Sequence, residues 1–221
     1  MHQPLESQNL HTHHTYIRLE LANAVSHGIG AAFFMIVVPV LISHTLLLHT
    51  SFYYTLCAAI FGFSLVITYL SSTLYHSIQH TEAKRILRIF DHVSIFILIG
   101  GSYTPIVYRY MPHDFAFKFL IMMWTIVAGG AIFKIFHTGK YKMVSTLAYV
   151  VLGFMVLLII KPLTADMSPL NFALMLIGGI SYTIGVPFYM AKKLKYNHAI
   201  WHLFVLVGSI AHYIMVWCSA V

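Results

Sequence analysis

Residues 52–76 read FYYTLCAAIFGFSLVITYLSSTLYH, with no Lys, Arg, Asp or Glu among them. At about 1.5 Å per residue, a helix of this length is longer than the roughly 30 Å hydrocarbon core of a bilayer. Runs of the same kind recur at 22–46, 90–110, 115–136, 144–160, 170–190 and 198–217. They are separated by short polar turns such as Met111-Pro112-His113-Asp114 and His137-Thr138-Gly139-Lys140. Connections this short leave no room for a second domain. The expected fold is an all-α membrane protein, a seven-transmembrane helix bundle over 20–221 preceded by a polar cytosolic tail over 1–19. Pro39, Pro105 and Pro187 fall inside runs, where packed neighbours can satisfy the backbone groups that proline frees.

Composition supports this reading. Of 221 residues, 59% are hydrophobic and 9% charged, where a soluble domain carries roughly a quarter charged. With a mean hydropathy of +0.81, too little charge remains to solvate a surface, which excludes a water-soluble fold. The net charge of +7 is explained by where the cations fall. Arg18, Lys84, Arg85, Arg88, Lys134, Lys140, Lys142, Lys192, Lys193 and Lys195 occupy one set of alternating connections, and only Arg109, Lys118 and Lys161 the other. The positive-inside rule then puts the N-terminus in the cytoplasm and, after seven crossings, the C-terminus outside. The basic excess is topological, so no nucleic-acid partner is expected, and the inner (plasma) membrane is the expected location. No apolar segment of the kind found in secretory signals occurs in the first twenty residues. Cys57 and Cys218 both lie in apolar stretches, which excludes a disulfide framework or a Cys-rich zinc module.

Histidine is the anomaly, with fifteen residues against six Asp and Glu together. His2, His11, His13 and His14 lie in the tail, where a histidine cluster binds metal weakly; His44, His49 and His113 belong to the outer interface. The other membrane-embedded polar groups gather at one end. The second run finishes with Ser72-Thr73-Leu74-Tyr75-His76, the third opens with Phe90-Asp91-His92, the seventh with Asn197-His198-Ala199-Ile200-Trp201-His202, and the first with Glu20, Asn23, Ser26 and His27. Because spans alternate in direction, all four sets sit near the cytoplasmic interface. His198 and His202, four apart on a helix, present both rings on one face and can reach one metal ion. Ser72 and His76 share that spacing. A third imidazole from a neighbouring helix would complete three neutral nitrogen donors and leave a fourth tetrahedral position for water, the arrangement of a catalytic zinc site. Asp91 reads as the only carboxylate clearly associated with an apolar run. It is suited to orient that water or take its proton, with the Ser72 hydroxyl as a second partner.

Each residue also has a plainer reading. The histidine pair can be unrelated to metal, Asp91 can cap its helix or pair with Arg88, and Ser72 can bond back to the carbonyl of residue 68. Their coincidence at one depth, where ionisable groups are costly, favours the metal. Ala199 after His198 excludes a zinc-protease HExxH helix. His212, about 15 Å deeper than His202, cannot join the same ion, and His92, one position off the face of Asp91, reads as a supporting residue. The pairs Gly100-Gly101, Gly129-Gly130 and Gly178-Gly179 read as sites of close helix packing.

At these residues the chain resembles the hemolysin III family, the bacterial branch of the progestin and adipoQ receptor family. The matching segments are Glu20 through Gly30, the S-x-x-x-H of Ser72 and His76, Phe90-Asp91-His92 with Gly101-Ser102-Tyr103-Thr104-Pro105, and the H-x-x-x-H of His198 and His202. They extend over nearly the whole chain, in the family's order. The resemblance implies seven spans with the N-terminus inside, and a zinc ion held by His76, His198 and His202 with Asp91 and Ser72 contacting its water. The wider superfamily contains alkaline ceramidases, so it also implies a zinc-dependent lipid amidohydrolase acting in membrane-lipid homeostasis, with a membrane lipid as substrate. A non-catalytic membrane sensor, in which zinc only staples helices together, is the alternative. A cytolytic pore, suggested by the family's name, is the third reading, although polar positions here cluster at one end instead of along the spans.

Overall fold

The computed structural model describes residues 5–48 and 50–221, with side chains from His14 onward. The side chains of His2, His11, His13 and His49 lie outside the described residues. Among those described, the regular structure is helical throughout: α1 (Leu5–Leu47), α2 (Phe52–Ser77), α3 (Thr81–Tyr110), α4 (His113–His137), α5 (Lys142–Phe154), a 3₁₀ turn (Met155–Leu158), α6 (Ile160–Leu163), α7 (Pro169–Met190) and α8 (Asn197–Cys218). Among the described residues, six helices are long and apolar enough to cross a membrane: α1 from His14, α2, α3, α4, α7 and α8. This is an integral membrane protein. Ile36, Phe63, Phe136, Leu158 and Ile180 project outward, between 54% and 76% exposed, as side chains bathed in hydrocarbon can.

The run expected at 144–160 is not one straight helix. It breaks into α5, the 3₁₀ turn and α6, and Pro162 gives the physical reason. The proline ring excludes the carbonyl of residue 158 from regular helix geometry, and its missing N–H removes the bond to it. The backbone leaves helical values at Ile159, φ −121 and ψ 7, directly after that residue. A side chain from α3 repairs the break: the Tyr103 hydroxyl accepts the Val156 N–H at 2.7 Å and faces the carbonyls of Leu152 and Gly153 at 3.0 and 2.8 Å. In hydrocarbon such groups must be met inside the protein. One turn earlier, the Tyr149 hydroxyl donates to the His92 carbonyl at 2.9 Å.

Two other boundaries move. α1 begins at Leu5, well before its apolar run, and α3 begins at Thr81, with His80 as its cap accepting the Ala83 N–H. Asp91 therefore lies in the third turn of α3 and cannot be its cap.

The helices form a closed ring. α1 packs on α2 and α8, α2 on α3, α7 on α8, and α5 joins α3 to α7, while α4 lies outside against α3. Phe34, Phe61, Leu65, Tyr69, Val107 and Val216 fill the interior without exposure. Polar bonds tie the ring across its depth: Tyr69 and Tyr182 both reach the Ser209 hydroxyl, at 2.9 and 3.0 Å, and Tyr213 donates to the Val37 carbonyl at 2.7 Å. The glycine pairs pack as expected, with an asymmetry. Gly130 lies against the Phe96 ring and Gly178 against His212, whereas Gly129 and Gly179 face open space. At the end of the bundle away from the His76 cluster, Arg109 donates to the Ser219 carbonyl at 2.8 Å and Asn171 to the Tyr110 hydroxyl at 2.8 Å, binding the ends of α3, α7 and α8.

Candidate metal centre

His76 occupies the last turn of α2, where Gln79 folds back to donate to its carbonyl at 2.9 Å. α8 starts at Asn197, and its side-chain amide donates to the carbonyls of Phe188 and Tyr189 at 3.3 and 3.2 Å, fastening the helix start to the end of α7. The preceding residue, Tyr196, sits at φ 61. A bulky residue in that left-handed region is strained, and here it turns the chain so that His198 and His202 enter the bundle on one face.

These elements bring together the His198 and His202 that helical spacing singles out and the His76 that the family resemblance implies. His76, His198 and His202 each offer a ring nitrogen, all within 4.8 Å of one another. The ring centroids of His198 and His202 are 4.5 Å apart, and His76 lies 5.1 and 5.4 Å from them. His76 and His202 are buried, at 4% and 2% exposure.

Hydrogen bonds assign the tautomers. The His202 Nδ1 lies 3.2 Å from the Asn23 carbonyl and 2.9 Å from the Ser26 hydroxyl. A carbonyl only accepts, so Nδ1 carries the proton and Nε2 keeps its lone pair. The His76 Nδ1 faces a Glu20 carboxylate oxygen at 3.4 Å and the Asn23 amide nitrogen at 3.5 Å; the amide could only donate to it, and the nearer, charged acceptor is the stronger partner, which puts the proton on Nδ1. The buried His76 Nε2 has no hydrogen-bond partner, and neither does the buried Ser72 hydroxyl one turn earlier. Unsatisfied buried polar atoms are uncommon and call for an explanation. Two free lone pairs on inward-facing imidazoles, with a third beside them, suit a metal ion, and imidazole donors suit zinc, copper, iron and nickel.

Asp91 and Ser72 are placed less directly. Ser72 is 1% exposed and does not bond back to residue 68; its neighbour Ser71 does that, at 3.2 Å. Asp91 is 13% exposed and paired with His92 at 3.4 Å, not with Arg88. Among the described residues neither Asp91 nor Ser72 bonds directly to the three imidazoles. His92 holds the Arg88 carbonyl at 2.8 Å, and its role is local to α3.

The contribution of α1 is the feature that sequence reasoning undervalued. Asp91 is not the only carboxylate at this depth: Glu20, 14% exposed, reaches His76 and is bonded to Lys84. Glu20, Asn23 and Ser26 repeat at a spacing of three on one helical face, and that spacing was the available signal. His27 lies beside them, 4% exposed and stacked on His202 at 3.5 Å, with neither ring nitrogen bonded. His212 is remote, its ring against Tyr182 and the Met175 carbonyl. His44 stacks on Trp217 and His113 on Tyr108.

Comparison with known proteins adds an independent line. The family model described as "Haemolysin-III related" matches residues 15–213. The chain is 40% identical over 202 residues to "Hemolysin-3 homolog" of Bacillus subtilis (strain 168), covering 90% of this chain and 93% of that protein. It is 40% identical over 198 residues to "Hemolysin-3" of Bacillus cereus, covering 88% of each. It is 26% identical over 204 residues to "Monocyte to macrophage differentiation factor" of Homo sapiens, covering 89% of this chain and 82% of the human protein. No solved structure matches it.

Proposed function

The chain belongs to the haemolysin-III family, and from that premise we propose that it is a zinc-dependent intramembrane hydrolase of lipid amide or ester bonds, acting in membrane-lipid homeostasis. The observation that carries this reading is the unpartnered, buried His76 Nε2 beside His198 and His202, with the unpartnered Ser72 hydroxyl one turn away. His76, His198 and His202 would hold the ion. Zinc in such a site lowers the pKa of water to about 7 and polarises an acyl carbonyl.

The chain's own residues supply the rest. Glu20, Asn23 and Ser26 keep the Nδ1 positions of His76 and His202 engaged, so the Nε2 lone pairs point inward. Hydrolysis joins the water oxygen to the carbonyl carbon and breaks the C–N or C–O bond. Asp91 takes the proton that water loses and passes it to the leaving nitrogen or oxygen. Ser72 donates a hydrogen bond to the oxygen that becomes negative.

The topology belongs to the same proposal. The broken segment of α5, the 3₁₀ turn and α6 makes a seventh crossing, supported by its bonds along α3 from the His92 level to Tyr103. The cation bias then puts the metal end and the N-terminus in the cytoplasm and the C-terminus outside, in the bacterial plasma membrane.

A second reading has its own support: the three histidines come from α2 and α8, on either side of α1, so an ion there would staple the ring and serve a sensor without chemistry. Asp91→Asn separates the two. With purified protein in nanodiscs containing an N-acyl sphingolipid, fatty-acid release should fall by about 10²–10⁴-fold while zinc content is kept. Undiminished release in Asp91→Asn, or full zinc content in the His198→Ala, His202→Ala double variant, would overturn the hydrolase as drawn.

A further inference from the structure

A cleft of about 490 Å³ opens at the metal-site end of the bundle, between the ends of α1, α2, α3 and α4, and no part of the hydrolase reading uses it. One wall is a stripe of cations on α3, Lys84, Arg85 and Arg88, at helical spacings of one, three and four. Tyr16 and Tyr75 flank it, and the opposite wall is apolar, with Phe136 of α4 75% exposed. Among the described residues, no carboxylate lines it.

The cations are unequally neutralised. Lys84 is bonded to Glu20, and Arg85 pairs with Glu82 at 3.0 Å. That second pair is largely solvated, with side chains 74% and 67% exposed, and therefore weak. Arg88 is half-buried and, among the described residues, has neither an ion pair nor an acceptor for its N–H groups. Its guanidinium is held beside Gly139, at φ 87, where a Cβ would lie 2.9 Å from both terminal nitrogens.

We propose that this cleft binds the phosphate of an anionic membrane phospholipid. Arg88 supplies a planar fork that matches two phosphate oxygens, Lys84 and Arg85 add charge, and the tyrosines suit the headgroup level. The apolar wall formed by Phe136 and Ile135 takes the first part of an acyl chain. Basic pockets between helices on the cytoplasmic side are the expected form of such sites. The cleft also touches the metal centre through one residue, since Lys84 bonds the Glu20 carboxylate that faces His76.

The test uses delipidated full-length protein in neutral detergent, titrated with short-chain phosphatidylglycerol, phosphatidylcholine or inorganic phosphate, with bound lipid counted by native mass spectrometry. Saturable binding of one phosphatidylglycerol per chain is expected, at least tenfold tighter than phosphatidylcholine and not displaced by millimolar inorganic phosphate. Arg88→Gln should weaken it at least tenfold and Arg88→Lys by less, while Lys193→Gln leaves it unchanged. An unchanged unfolding transition in the same detergent verifies that each variant is folded. Equal binding of the two lipids, equal loss in Arg88→Gln and Lys193→Gln, or displacement by inorganic phosphate would each overturn the proposal, the last by assigning a site for free phosphate.

Discussion

Glu20→Gln tests whether α1 is part of the proposed metal centre. The substitution keeps the side-chain volume but removes the charge that faces the His76 Nδ1 at 3.4 Å, in a pair whose side chains are 4% and 14% exposed. A carboxylate behind a ligating imidazole fixes its tautomer and raises its basicity, and its loss typically lowers metal affinity 10–100-fold, about 1.4–2.7 kcal/mol. The 3.4 Å separation is long for a charge-assisted bond, and an amide oxygen still accepts, so the expected loss is near the lower end, about tenfold. The assay is a zinc titration of chelator-stripped protein against a chromophoric competitor at fixed pH. Glu82→Gln is the internal control: it removes an exposed ion pair with Arg85, worth about 0–1 kcal/mol to stability, and should not change zinc affinity. A role for Glu20 behind His76 fails if Glu20→Gln binds zinc as tightly as the parent while His76→Ala does not bind it. It also fails if Glu20→Gln and Glu82→Gln lose affinity equally, because the effect would then be a general one of surface charge.

Ser26→Ala should lower zinc affinity less than Glu20→Gln in the same titration, because the His202 Nδ1 keeps the Asn23 carbonyl at 3.2 Å as an acceptor. Gly130→Ala and Gly178→Ala should destabilise the bundle by about 1–3 kcal/mol through overpacking, against the Phe96 and His212 rings respectively. Gly129→Ala and Gly179→Ala, whose added methyls meet nothing within 4 Å, should be neutral, and unfolding of all four in detergent measures the contrast. Tyr103→Phe leaves the Val156 N–H without its 2.7 Å acceptor and should cost about 1–3 kcal/mol, with faster hydrogen exchange confined to the 3₁₀ turn.

Much of the site was legible because a membrane makes ionisable residues conspicuous. His198 and His202 stood out at one depth because i, i+4 spacing places both on one face, whereas the residues alone left the third imidazole open and only the family resemblance pointed to His76. Glu20 was harder to weigh: it lies at the start of the apolar run, where a carboxylate is usually solvated, and only the neighbouring ends of α2 and α3 enclose it. The plainer readings of Ser72 and Asp91 were equally open in one dimension. The structure removes the back-bond of Ser72 and places Asp91 three turns into α3, paired with His92.

The sequence by itself determined six of the helices long and apolar enough to cross a membrane, because that property depends on the local transfer free energy of each run and on where Lys and Arg stop it. It did not determine which helices are neighbours. In lipid the buried and lipid-facing sides of a helix are both apolar, so the periodicity that orients a helix in a soluble protein is nearly erased. The closed ring, α1 seated between the two histidine-bearing helices, and the break that Tyr103 repairs all depend on how side chains of similar polarity interlock. Only the tertiary structure decides that, and with it which nitrogen of each imidazole is left free.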